Sequence, residues 1–207
     1  NAGEQITTAT QNTLVGGLSG DALVDGAANT ALGFETLTAD TKGQNNVAIG
    51  HHALSTQNFT TLTSSYNTAV GSQAGLSITT GDSNTLIGGL AGDALTDSDR
   101  NTAVGMGALT TETLGARAIG YGALANSNST TATNSYNTAV GYNAGTAITT
   151  GLNNTLMGGL AGDAITSAVG SVAMGTGALG ACTTGGSNTA VGYFAGEAIT
   201  TGTLNVL

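Results

Sequence analysis

The sequence predicts an all-β chain: a parallel β-roll or β-solenoid built of two-strand coils about 17 residues long. Three observations carry the prediction. One five-residue word, Asn-Thr-Ala-Val-Gly, recurs identically from Asn67, Asn101, Asn137 and Asn188. The composition suits thin packing, with 34 Gly, no Trp and only 7% charged residues; large apolar side chains are too few for a thick core. Proline is absent, as expected of a chain paired along most of its length, because Pro cannot donate to a β-ladder. Helix-pair repeats are excluded by length, since they run to about 33 residues or more.

Relaxed to Asn-Thr-(Ala or Leu)-apolar-Gly, the word opens coils at 12, 29, 46, 67, 84, 101, 116, 137, 154, 171, 188 and, cut short, 205. The intervals are 17 residues, except for 21 after 46 and 116 and 15 after 101. A longer period lies above the short one: SYNTAVG at Ser65 returns at Ser135, 70 residues later. Residues 1–207 read as a single repeat array, opening and closing in mid-coil, an excerpt of a longer fibre.

Within a coil, positions 1 to 5 read as a strand. Asn at position 1 is placed to hydrogen-bond up and down a ladder of like side chains. Position 4 is always apolar, from Val15 and Leu32 to Met174 and Val191, while position 3 points the other way and is always Ala or Leu. Gly at position 5 is expected to form a corner that a Cβ would obstruct. A second short strand of the Ala-Ile-Thr-Thr type should follow, closed by Gly-x-Asn turn chemistry. At about 4.8 Å per coil the array would form a rod of roughly 50 Å. Both faces of the first strand want burial, and a solitary two-layer roll buries one. Packing against sister chains in a homotrimer, intertwined or side by side about a central axis, is the expected remedy. Each coil gains stability only from its neighbours, so every copy of the word must fit the copies above and below it.

Charge narrows the partners. The net charge is -9, and Lys42, Arg100 and Arg117 form no basic cluster, which argues against nucleic acid and anionic membrane surfaces. No apolar run of about 18 residues exists to span a bilayer. The single Cys182 forms no internal disulfide framework.

The chemistry-bearing motifs have plainer readings. Gly175-Thr-Gly177-Ala-Leu-Gly180, with Glu197 further on, matches a dinucleotide fingerprint, but that motif needs a helix after its strand. His51 and His52 are adjacent, and on a strand they would face opposite ways, as turn residues rather than a metal pair. Asp21, Asp93 and Asp163 share one coil position, but lie four coils apart, roughly 19 Å by the ladder spacing. Asp97-Ser98-Asp99 lacks the further oxygen ligands that calcium requires. Cys182 falls where other coils place Leu95, Ile148 and Ile165, as a buried small hydrophobe. Neither a cofactor nor a metal is called for. Glu4, Glu35, Glu112 and Glu197 lie on different coils, which argues against the paired carboxylates of a glycan-hydrolysing spike.

The words NTAVG, NVAIG and SVAMG resemble the SVAIG-type repeats in the head domains of trimeric autotransporter adhesins. That resemblance implies left-handed parallel β-rolls assembled as trimers, generally with shorter coils. The longer phrases NTAVGYNAGTAITTG and NTLIGGLAGDALTDSDRNTAVG are similar to repeats in tail-fibre and other virion-fibre proteins of marine bacteriophages. The implied function is a non-enzymatic fibre segment on the virion surface or outside a cell, bearing on host attachment. Its partners would be itself and a host surface receptor or glycan. A bacterial adhesin or surface filament is the alternative. The pairs Thr79-Thr80, Thr149-Thr150 and Thr200-Thr201 resemble the Thr arrays of ice-binding solenoids, but mark only some coil types. Receptor contacts are expected on the long-coil bulges, at Ser55, Asn58, Phe59 and Tyr66 and at Asn126, Asn128 and Tyr136, because loops on a rigid scaffold carry function.

Overall fold

The computed structural model describes residues 1–111, 115–127 and 134–207. Among these, all regular structure is β, and no helix occurs. The chain divides into two compact units, residues 1–101 and 102–207, and each is a stack of solenoid coils.

In the first unit the strands are β1 (Thr13–Val15), β2 (Thr30–Leu32), β3 (Gly43–Gln44), β4 (Val47–Ile49), β5 (Thr63–Ser64), β6 (Thr68–Val70) and β7 (Thr85–Ile87). β1, β2, β4, β6 and β7 pair in parallel in that order, with Thr13 opposite Thr30 and Thr68 opposite Thr85. The second unit holds β8 (Thr102–Val104), β9 (Arg117–Ile119), β10 (Thr138–Val140), β11 (Thr155–Met157), β12 (Val172–Met174) and β13 (Thr189–Val191). They too pair in parallel in sequence order. Neither the 15-residue nor the 21-residue coil shifts the register: Thr102 and Thr138 both align with Arg117.

The second strand expected in each coil does not form at Ala147-Ile148-Thr149-Thr150, which is turn and bend. The hydrogen bonds explain why. The N–H groups of Thr149, Thr150 and Gly151 all converge on the carbonyl of Thr166, at 2.9, 3.2 and 3.2 Å. An extended strand aims successive N–H groups in opposite directions, so three donors on one acceptor require a curled backbone. A second strand appears in the long coil of the first unit, where β3 pairs with β5, Gly43 opposite Thr63.

The core is a thin seam. Position 3 lies wholly inside from the second coil on, as at Ala31, Leu86, Ala139 and Leu156, while Leu14 in β1 is half-buried. Counting on from the coil's Asn, position 9 is Leu when position 12 is polar or small, and Gly when position 12 is Leu or Ile. Leu37 thus accompanies Asp40, Leu54 Gln57 and Leu179 Cys182, whereas Gly75 accompanies Ile78 and Gly145 Ile148. The reason is volume. A Cβ on Gly75 would fall 2.8 Å from Leu86 Cδ1, 2.9 Å from Leu54 Cδ2 and 3.1 Å from Ile78 Cδ1. One large side chain fits at the position 9–12 end of each coil, and close packing leaves no room for two.

The asparagine ladder forms, but it runs chiefly from side chain to backbone. Asn12 Oδ1 accepts from the Asn29 N–H at 2.8 Å, Asn29 from Asn46 at 2.9 Å and Asn46 from Asn67 at 3.0 Å. In the second unit Asn137 accepts from the Asn154 N–H at 3.0 Å, and Asn188 from Asn205 at 3.0 Å. The amide nitrogen is used as well: Asn67 Nδ2 donates to Gly81 O at 2.7 Å and Asn137 Nδ2 to Gly151 O at 2.7 Å. Asn29, Asn67 and Asn137 each satisfy a backbone N–H on the next coil and a carbonyl at their own turn, neither of which the strand ladder reaches; in the long coil Asn46 Nδ2 donates instead to Asn29 Oδ1 at 3.1 Å. Where Ser171 replaces Asn, its Oγ accepts from the Asn188 N–H at 3.3 Å.

Candidate functional site

The two long-coil bulges were the expected contact regions. In the first unit the bulge is a built structure. Ser55 is half-buried, and its carbonyl accepts from Ala39 N at 3.1 Å. Asn58 is exposed, with its N–H bonded to Thr79 O at 2.9 Å and its Oδ1 to Thr41 Oγ1 at 3.2 Å. Phe59, expected at the surface, is only 7% exposed. Its N–H donates inward to Asp40 Oδ1 at 3.1 Å, so the ring is drawn against the coil rather than presented to a partner. Leu62 and Tyr66 project into solvent, at 61% and 60% exposure.

In the second unit Asn126 is exposed, with its N–H on Thr146 O at 3.3 Å. Tyr136 is exposed, and its hydroxyl accepts from Asn134 Nδ2 at 3.0 Å. Asn128 lies outside the described residues. Tyr66 and Tyr136 occupy equivalent places, each immediately before the Asn of the next coil, each with positive φ (49° and 48°).

Beneath the first bulge lies a polar cluster that the sequence reading missed. Asp40 is buried and accepts four hydrogen bonds: at Oδ1 from the N–H groups of Gly43, Phe59 and Lys42 at 2.9, 3.1 and 3.3 Å, and at Oδ2 from Gln57 Nε2 at 2.6 Å. Gln57 Oε1 in turn accepts from Asn67 Nδ2 at 2.8 Å. The signal was present in the coil frame, since Asp40 and Gln57 stand at position 12, where Leu23, Ile78 and Leu95 line the core. The cluster ties the 21-residue excursion to the regular coils on either side.

Burial pushes the Asp40 carboxyl above its ordinary 3.8, and the four donors pull it back only in part. Partial burial also raises Asp93 and Asp163, and Asp93 Oδ1 is buried without a partner. With raised folded-state values, the folded chain keeps protons that the unfolded chain has released. These groups therefore favour the fold most below the unfolded value, and that contribution is lost as pH rises through the folded values. Self-repulsion from the net charge of -9 acts in the same direction. The melting temperature, followed by circular dichroism, is expected to be higher at about pH 4.5 than at pH 7. A lower value in acid would mean that the carboxylates stabilise as acceptors more than burial penalises them.

The remaining candidates resolve simply. His51 and His52 do not face opposite ways: both lie in a turn, their ring centroids are 4.0 Å apart, and Phe34 stacks on His51 at 5.8 Å. The strand alternation behind the expectation does not apply to a turn in which His52 has φ 57°. His52 Nδ1 sits 3.1 Å from Glu35 Oε2. Among the described residues no group of three His, Cys, Asp or Glu side chains is arranged to hold a metal ion. Asp99 Oδ1 accepts from the Asp82 N–H at 2.8 Å, a turn contact. Cys182 is fully buried, with Sγ 3.3 Å from Gly185 O. The hydroxyls of Thr149, Thr166 and Thr183 each donate to the carbonyl one coil on, at 3.2 Å. Thr79 Oγ1 does the same to Thr96 O, so one member of each of the first two Thr pairs ties its coil to the next. Gly175-Thr-Gly177-Ala-Leu-Gly180 follows β12 but runs into a turn instead of a helix.

Fold and site together define a class, the β-solenoid repeat protein. No family model, curated protein or solved structure matches the chain.

Proposed function

We propose that the chain is a non-enzymatic structural segment of a bacteriophage tail or virion fibre, assembled as a homotrimer outside the cell and serving host attachment. The observation that carries the reading is the outward row at position 4. Val15, Leu32 and Ile87 in the first unit, and Ile119, Met157, Met174 and Val191 in the second, are apolar and 39–58% exposed, while Ile49, Val70, Val104 and Val140 in the same row are half-buried. They stand on strands whose inner face is already full. A row that is apolar at every coil and exposed at most of them marks an interaction site. Because the row repeats with the coil, the partner that matches it rung for rung is another copy of the same chain. Closed rotational symmetry about an axis along the stack would bring the three rows together.

Resemblance of the repeat words to virion-fibre repeats supports the phage assignment, and the exposed Leu62, Tyr66 and Tyr136 are the side chains that the bulges offer to a receptor. Static light scattering tests the assembly. The expected molar mass is three times the 20.0 kDa of one chain, and a single-chain mass would discard the trimer. A membrane-anchor barrel elsewhere in the parent protein would favour the bacterial adhesin instead.

A further inference from the structure

We infer that a notch on the second unit, centred on Gly177 and Gly180, binds an organic ammonium group. This does not rest on the fibre reading. Coil positions 7 and 10 form two columns on three successive coils: Leu160, Gly177 and Phe194, and beside them Asp163, Gly180 and Glu197. On the middle coil both columns are glycine, so one rung lacks side chains and a cavity of about 250 Å³ opens there.

Its walls have a definite character. Phe194 folds across Gly177, close enough that a Cβ there would lie 2.4 Å from Cδ1 and Cε1 of the ring. Tyr193 meets that ring edge-on at 4.3 Å. Asp163 leans in from the coil before, its Oδ1 3.5 Å from where a Cβ of Gly180 would stand. Glu197 comes from the coil after, and Leu160 completes the apolar side. The motif set aside as a dinucleotide fingerprint and the acidic residue downstream of it do converge, then, but not on a phosphate. Two carboxylates line the notch and no Lys or Arg does, so an anion is repelled. An aromatic ring with carboxylates beside it selects a cation carried on an apolar or ring-shaped body. The volume falls below that of pockets for drug-sized ligands, roughly 300–1,000 Å³, and suits a single head group. An amino sugar and a quaternary ammonium both carry this chemistry.

Isothermal titration of the whole chain with choline, glucosamine and glucose separates the cases. Both cations are expected to bind and glucose is not; tighter binding of glucosamine would point to an amino sugar, and tighter binding of choline to a quaternary head group. Glu197→Gln, which removes the charge of an exposed carboxylate with little change of shape, should weaken binding roughly two- to fivefold. Phe194→Ala should weaken it roughly two- to fivefold, and Gly180→Val should abolish it by filling the rung. Circular dichroism melts confirm that each variant keeps the fold. Glucose binding as well as glucosamine would overturn the inference, as would unchanged affinity in Glu197→Gln. So would silence from both cations up to about 50 mM, or calcium binding that neither organic cation displaces.

Discussion

Gly141→Ala is expected to cost about 3 kcal/mol or more and to lower the melting temperature by roughly 6–12 °C. Gly141 has φ 141°, and a Cβ placed on it would lie 2.4 Å from the carbonyl oxygen of Gly158 on the next coil. Two penalties combine: a dihedral region that L-residues avoid, and a collision with backbone that cannot rotate away. Relief would require the coils to separate, breaking the ladder on both sides. The same geometry recurs at Gly16, Gly71, Gly105 and Gly175, where a Cβ would meet the next coil's glycine carbonyl group at 2.2–2.5 Å. Gly170→Ala is the control. Its φ of 72° is left-handed, but a Cβ there would meet only Ser187 Oγ, at 3.9 Å. It should cost about 1–2 kcal/mol from the dihedral alone. Equal effects of the two substitutions in thermal melts would show that coil contact is not what demands glycine at position 5.

The second large effect concerns assembly. The combined variant Met157→Glu, Met174→Lys and Val191→Glu places charges on the outward row while leaving the inner face untouched. Met157 is in register with Met174, and Met174 with Val191, so the new side chains alternate in sign across neighbouring strands and attract one another within the chain. Each coil should therefore fold much as before. Between chains the row no longer offers apolar surface, and burying the charges against a sister row would carry a heavy desolvation penalty. On the proposed trimer, the expected result is a fall in molar mass from three chains to one, with the circular dichroism spectrum retained. Persistence of the trimer would place the contact elsewhere on the coil.

Much of this architecture is legible in the spelling. The recurrence of Asn, an inward Ala or Leu, an outward apolar residue and Gly marks the strand, its faces and its corner, because each coil must meet a near-copy of itself in register. Cys182 could be placed in the core from the company it keeps in the frame. The Ala-Ile-Thr-Thr stretch misled for a related reason. Its β-favouring residues describe half-buried surface, and here that surface lies on a curled backbone whose donors share one acceptor. His51 and His52 sit in a turn, as read from the coil frame, but strand alternation does not govern a turn and their rings meet at 4.0 Å.

The sequence by itself determined the period, the parallel stacking and the in-out pattern of the strand, since these follow from local side-chain chemistry repeated at a constant interval. Only the tertiary structure decided which deviations matter. It turned Phe59 inward over Asp40 and joined Gln57 to Asn67 across ten residues. It also gathered Asp163, Gly180 and Glu197 from three coils around one notch. Those are contacts between coils, and stacking brings together residues of neighbouring coils that no local pattern couples.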